Sequence, residues 1–168
     1  PNTGSLFDDA NLDTIKIMSE KLSKVDGVLD VSSIVNVPLL YSPKITIEDL
    51  ADEPRTLLSK GIDKDLAITE FLESPIYRDN ILSENIEITA ILLTIAIDKK
   101  YMALAENRDN LRQRSNEVGL TTEETKQLDI ANTKFNDYQT IRYELDHERV
   151  RQVRLILDQY SDRGTIFL

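Results

Sequence analysis

The chain has no cysteine in its 168 residues. That excludes disulfides, thiolate metal sites and a cysteine nucleophile. It also has no run near the roughly 18 apolar residues that a membrane helix needs. The strongest such run, 90–97, is less than half that length, and no charged-then-apolar start marks a signal peptide. The five glycines are scattered and form no phosphate-cradling loop or nucleophile elbow. The only histidine, His147, lies among the charges Glu144, Asp146, Glu148 and Arg149. It could sense pH or bind a metal with Glu144 and Glu148, but one such ligand does not make a metal site, so it reads as a surface residue. No catalytic residue, metal or cofactor is expected, and no enzymatic activity.

What is present is globular in balance, with 40% apolar and 30% charged residues, enough for one domain, or one domain with an elaboration. The net charge of −10 repels phosphate backbones, which argues against nucleic acid as a partner, and anionic lipid headgroups wherever basic residues do not cluster. The acidic groups Asp8-Asp9-Asp13 and Glu48-Asp49-Asp52-Glu53 lack the sharply turning loop of a calcium site and read as carboxylates at helix starts. Arg108, Arg112, Arg114 and Arg149, Arg151, Arg154 alternate with acids and read as solvated helix faces, ahead of a lipid-headgroup role.

Leu12, Ile15, Met18, Leu22 and Val25 make one apolar stripe, predicting a helix that Gly27 ends in the left-handed conformation. Alternation over 29–37 predicts a half-buried strand closed by Pro38. A long connection follows, with an edge strand at 45–47 and a short helix over 63–73 that places Leu66, Ile68, Phe71 and Leu72 partly on one face. Residues 87–97 are apolar on both alternating faces, which predicts a central strand covered on both sides. From 99 to 163 there is no proline, and Gly119 divides two helices; Thr121 and Glu124 have capping-box spacing at the second start. Leu104, Leu111 and Val118 on one helix, and Leu128, Ala131, Phe135, Tyr138, Leu145, Val150, Val153, Leu157 and Tyr160 on the other, form the thin seam of an αα-hairpin. A straight helix over 123–160 is ~55 Å long, against a radius of gyration of roughly 15 Å for a globule of this length. The hairpin is therefore expected to project. The chain starts at Pro1 without methionine and stops in the strand-like 165–168, so it reads as one piece of a longer polypeptide.

Two segments carry a further signal. One is Ser33-Ile34-Val35-Asn36-Val37-Pro38, followed by Ile47-Glu48-Asp49-Leu50-Ala51-Asp52. The other is Glu73-Ser74-Pro75-Ile76-Tyr77-Arg78-Asp79-Asn80-Ile81-Leu82-Ser83-Glu84-Asn85, running into 89–97. In this order they resemble the extracytoplasmic loop between the first two membrane helices of RND-superfamily exporters, in the branch of lipid, hopanoid and sterol transporters. The family pattern has Asp-Pro-Leu-Tyr-Arg and a glycine after Ser-Glu-Asp; here Ser74, Ile76 and Asn85-Ile86 depart from it. The resemblance resumes over 149–168.

The resemblance implies an α+β, ferredoxin-like porter-type subdomain over 1–98 plus 164–168. Its first strand would lie before Pro1, and the projecting hairpin over 99–163 would be an insertion. The isolated piece is expected to fill the gap by dimerising or swapping, or to keep its helix over an incomplete sheet. The implied role is substrate passage and conformational coupling in a proton-driven exporter, at the periplasmic face of the bacterial inner membrane. Implied partners are the exporter's own membrane helices and second porter half, an accessory protein or neighbouring subunit met by the hairpin, and an apolar lipid substrate. Ser33, Asn36, Pro38, Pro75, Tyr77, Arg78 and Ser83 are signature positions, read as structural more than substrate-contacting. The rival reading is a stand-alone binding or scaffold module engaging a protein through the hairpin; a hydrolase with a hidden acidic site is the weakest.

Overall fold

The computed structural model describes residues 4–41 and 54–168. The expected edge strand at 45–47, the acidic group at 48–53 and the 47–52 segment lie outside these described residues. The element order is α1 (Asp9–Leu22), β1 (Val28–Ser32), α2 (Lys64–Glu73), β2 (Leu92–Ile95), α3 (Lys99–Glu117) and α4 (Thr122–Asp158). The fold is α+β, with the two strands in one antiparallel sheet. Two compact units are present: 4–41, 54–95 and 153–168 in the first, and 96–152 in the second. The second unit ends earlier than position 163, because Val153, Ile156 and Leu157 on the last turns of α4 join a core of the first.

α1 forms where the apolar stripe places it. Leu12, Ile15, Met18 and Leu22 are buried, and Gly27 follows at φ 78°. Asp8 sits at the N-cap without a side-chain capping bond, while Asp9 in the first turn pairs with Lys64 at 2.6 Å. That ammonium group holds the Asp9 carboxyl below its usual range, through a hydrogen bond first and charge second.

The strand expected over 29–37 stops at Ser32. Residues 33–37 form a turn in which the amides of Asn36 and Val37 both donate to the Ser33 carbonyl at 3.1 Å. Ile34, Val35 and Val37 are all buried, so the apolar alternation served a core turn and not a pleat. In α2 the buried residues are Ala67, Glu70 and Phe71, whereas Leu66 is exposed. These three share one face at i, i+3 and i+4.

The first unit has two apolar clusters. One gathers Phe7, Leu12, Ile34, Leu39, Leu57, Phe71, Tyr77 and Leu82 around α2, with further buried neighbours. The other joins Met18, Leu22, Val25, Val31 and Val153, with Leu93 and Ile166 partly buried against it. β2 is shorter than the 87–97 alternation and is not covered on both sides. Leu92 and Ile95 are 44% and 40% exposed, because β1 is its only ladder partner among the described residues and the helices cover one face. Residues 165–168 form no strand, although Ile166 reaches the core.

In the second unit, α3 buries no residue completely, and Ala131 and Phe135 are the buried positions of α4 there. The seam is narrower than the heptad spacing suggested, since Val118, Leu145 and Val150 are exposed. Arg108 fills part of it by lying 3.6 Å over the Phe135 ring, and Arg142 lies 4.1 Å over Tyr101. Gly119, at φ 81°, ends α3. The capping box then starts α4. The Glu124 amide donates to Thr121 Oγ1 at 3.2 Å, and the Thr121 amide donates to Glu124 Oε2 at 2.8 Å. The bonds donated by the Thr121 amide and hydroxyl hold the Glu124 carboxyl below its usual range.

Candidate functional site

The signature residues fall into two hydrogen-bonded turns of the first unit. In the first, Ser33 is fully buried. Its amide donates to Asn36 Oδ1 at 2.7 Å, while Asn36 Nδ2 donates to the Val31 carbonyl at 2.5 Å. Asn36 thus turns the chain by satisfying backbone groups that a longer strand would have paired. Ser19 on α1 donates to the Ser33 hydroxyl at 3.2 Å, tying the turn to the helix over it.

The second turn begins where α2 ends at Ser74 and Pro75, since the residue before a proline disfavours helical geometry. Tyr77 is buried, its ring 5.6 Å from that of Phe71 in an edge-to-face arrangement. Its hydroxyl donates to the Pro38 carbonyl at 2.6 Å. Burial pushes the Tyr77 phenol above its ordinary range, and the nearby Glu70 carboxylate adds to the shift. Arg78 is exposed and pairs with Glu84 at 2.9 Å and Asp79 at 3.6 Å. Ser83 Oγ lies 2.7 Å from Asn85 Oδ1 and accepts the Ile88 amide at 3.0 Å.

Glu70 is the residue that sequence reasoning missed. It is 6% exposed, and its two carboxylate oxygens accept the amides of Leu40 at 2.5 Å and Tyr41 at 2.9 Å. Together with the Tyr77–Pro38 bond, α2 and its following turn hold three backbone groups of the 38–41 segment. The signal available was the spacing Ala67, Glu70, Phe71, which puts the carboxylate on the buried face.

Asp79 and Ile86 adopt φ 61° and 62°. For a β-branched residue such as Ile86 this is costly. Removing the Ile86 side chain to alanine retains the strain, while glycine relieves it. Ile86→Gly is therefore expected to be more stable than Ile86→Ala by about 1 kcal/mol, the reverse of the order in a helix. Urea denaturation of the two variants checks this; an Ala variant at least as stable as the Gly variant contradicts it.

The other candidates are not gathered into a site. His147 is exposed, with Nε2 3.1 Å from the Tyr143 hydroxyl. Glu148 instead forms paired 2.7 Å bonds with Arg151, which with Gln152 bring its carboxyl down to about 2. Arg108, Arg114 and Arg149 pair with Asp109, Glu124 and Asp146. Arg112 donates to Asn132 at 2.8 Å. Among the described residues, no three His, Asp or Glu side chains are placed to hold a metal, and no helix is long and apolar enough to cross a membrane. A shallow cleft of about 180 Å³ lies beside Asp79, Leu82, Ser83 and Ile88. That is below the roughly 300 Å³ at which ligand pockets begin. No protein-family model matches the chain, and no curated protein or solved structure matches it either.

Proposed function

We propose that this chain is a soluble extracytoplasmic domain of a proton-driven RND-type exporter, contributing to substrate passage and conformational coupling without catalysis of its own. The observation that carries the reading is the Tyr77–Pro38 hydrogen bond. It links the two signature segments across 39 positions of sequence, so they act as one structural device. The left-handed Ile86 at a glycine position of the family pattern supports the same alignment. So does the order of elements: a helix over the sheet, two antiparallel neighbouring strands and a helical return to the same core agree with a ferredoxin-like porter subdomain. In this reading the signature residues hold the long connection in place, the hairpin meets the second porter half, a neighbouring subunit or an accessory protein, and the substrate is an apolar lipid. The domain faces the periplasm.

These 168 residues have no cysteine, so labelling of this segment is read from one introduced thiol. Asn116→Cys, on the exposed end of α3, is introduced into the intact gene product. The reading expects labelling by a membrane-impermeant maleimide in unbroken cells. Labelling only after lysis of the inner membrane overturns it.

A second reading has one observation in its favour. On α4, Ile130, Ile141 and Leu145 are each about half exposed and share a face. That face suits a protein partner, as in a stand-alone scaffold module.

A further inference from the structure

α4 carries a second stripe, separate from the seam that faces α3. Ile130, Lys134, Asp137 and Ile141 follow at spacings of four, three and four, which at 3.6 residues per turn keeps them within about 60° of arc. This is the alternation by which one helix packs along another. All four residues are exposed, the two isoleucines to 54% and 51%. Beside the stripe, Asn107, Leu111, Gln127, Ile130, Ala131 and Lys134 line a groove of about 230 Å³ between α3 and α4. That is below the roughly 300 Å³ at which ligand pockets begin, and of a size to receive one aliphatic side chain.

Four acids of α4 find bases within the chain. Glu123 pairs with Lys126, Glu124 with Arg114, Asp146 with Arg142, and Glu148 with Arg151. Lys134 and Asp137 have no ion pair or side-chain hydrogen bond among the described residues, although less than one turn separates them.

The order of the stripe decides between occupants. A parallel second copy in register would set Lys134 on Lys134 and Asp137 on Asp137, like charge on like. An antiparallel copy does the reverse. Residues 130 and 141, and residues 134 and 137, are symmetric about one point between Phe135 and Asn136. A twofold axis there lays Ile130 on Ile141 of the second copy and Lys134 on its Asp137, and the reciprocal pairs follow by symmetry. Four layers result, apolar outside and ionic inside. The next pairs outward are Gln127 with Glu144, and Glu123 with Glu148, whose charges Lys126 and Arg151 offset within each copy. An unrelated partner would need this order by coincidence, whereas a copy of the chain supplies it by construction.

We infer that the Ile130–Ile141 face of α4 is the docking site for the same face of a second copy of this chain, in antiparallel register. The inference rests on the exposed α4 face of the second reading above and names the partner of that face. Ile141 of the second copy then seats on Ile130, beside the groove.

Sedimentation equilibrium of the 168-residue chain is expected to show a monomer–dimer equilibrium with a dissociation constant of about 10–100 µM, because the covered surface is small. Lys134→Asp and Asp137→Lys each make both ionic layers repulsive, and each is expected to weaken the dimer by at least about 30-fold. Combining the two substitutions in one chain restores both pairs, and association is expected to return to within about threefold of the original. An equimolar mixture of the two single variants is expected to do the same, since their charges complement each other. A chain that stays monomeric at ~1 mM overturns the inference. So does a dimer that the single variants leave unchanged, or a loss that neither the double variant nor the mixture restores. The second reading fails separately: apolar membrane spans in the flanking coding sequence remove the stand-alone module and leave the pairing intact. A monomeric chain with polar flanks does the opposite.

Discussion

Phe71→Ala is expected to lower the unfolding free energy by about 3–5 kcal/mol, the largest effect of any single truncation in the first unit. Among the described residues Phe71 is the largest fully buried side chain, and it stands where α2, the Tyr77 turn and the 33–39 turn meet. Alanine leaves a cavity lined by groups that are fixed on several sides. The Tyr77 ring loses its edge-to-face neighbour and cannot collapse inward without losing the Pro38 hydrogen bond. The transfer and cavity terms therefore add with little relaxation. Melting should fall by about 10 °C, and the urea midpoint should fall with it. Phe71→Leu, which keeps most of the volume, is expected to cost less than about half as much. A loss below ~1 kcal/mol for alanine would mean that the site is not a close-packed core.

Glu70→Ala is expected to cost about 3 kcal/mol, because it removes two charge-assisted hydrogen bonds and leaves the Leu40 and Tyr41 amides without their acceptors. A solvent-facing glutamate on a short helix would show almost no change, so the two views separate cleanly. Glu70→Gln keeps one carbonyl acceptor and is expected to lose about half as much. Hydrogen exchange locates the effect. The Leu40 and Tyr41 amides should exchange faster in both variants, with alanine the faster, while the Leu12 and Ile15 amides on α1 follow global stability alone. Unchanged exchange at 40 and 41 would contradict the clamp.

Signals confined to a few adjacent residues were legible in the sequence. The α1 stripe, the left-handed Gly27, the helix break at Gly119 and the Thr121–Glu124 box each depend on local geometry that a dozen residues specify. The hairpin was legible for the same reason, although its seam was overestimated at Leu145 and Val150. What failed depended on distant partners. Residues 33–37 alternate like a strand, yet they turn because Asn36 bonds Ser33 and Val31. A glutamate on α2 reads as solvent-facing until the amides 29 and 30 positions away are placed on its oxygens. β2 reads as a covered central strand because its composition suits two neighbours, while one is present among the described residues.

The hydrogen bonds among the positions that carry the resemblance were not legible in the sequence. Ser33, Asn36, Pro38, Pro75, Tyr77, Arg78 and Ser83 are spread over fifty-one positions, from 33 to 83. The structure places them in two turns joined at Tyr77 and Pro38. Their polar side chains bond to groups of the same unit.

The exporter account is tested most directly by the coding sequence ~50 residues beyond each end of this chain. The account predicts an apolar run of about 20 residues on both sides, long enough for a membrane helix. Polar flanks with no such run on either side would contradict it.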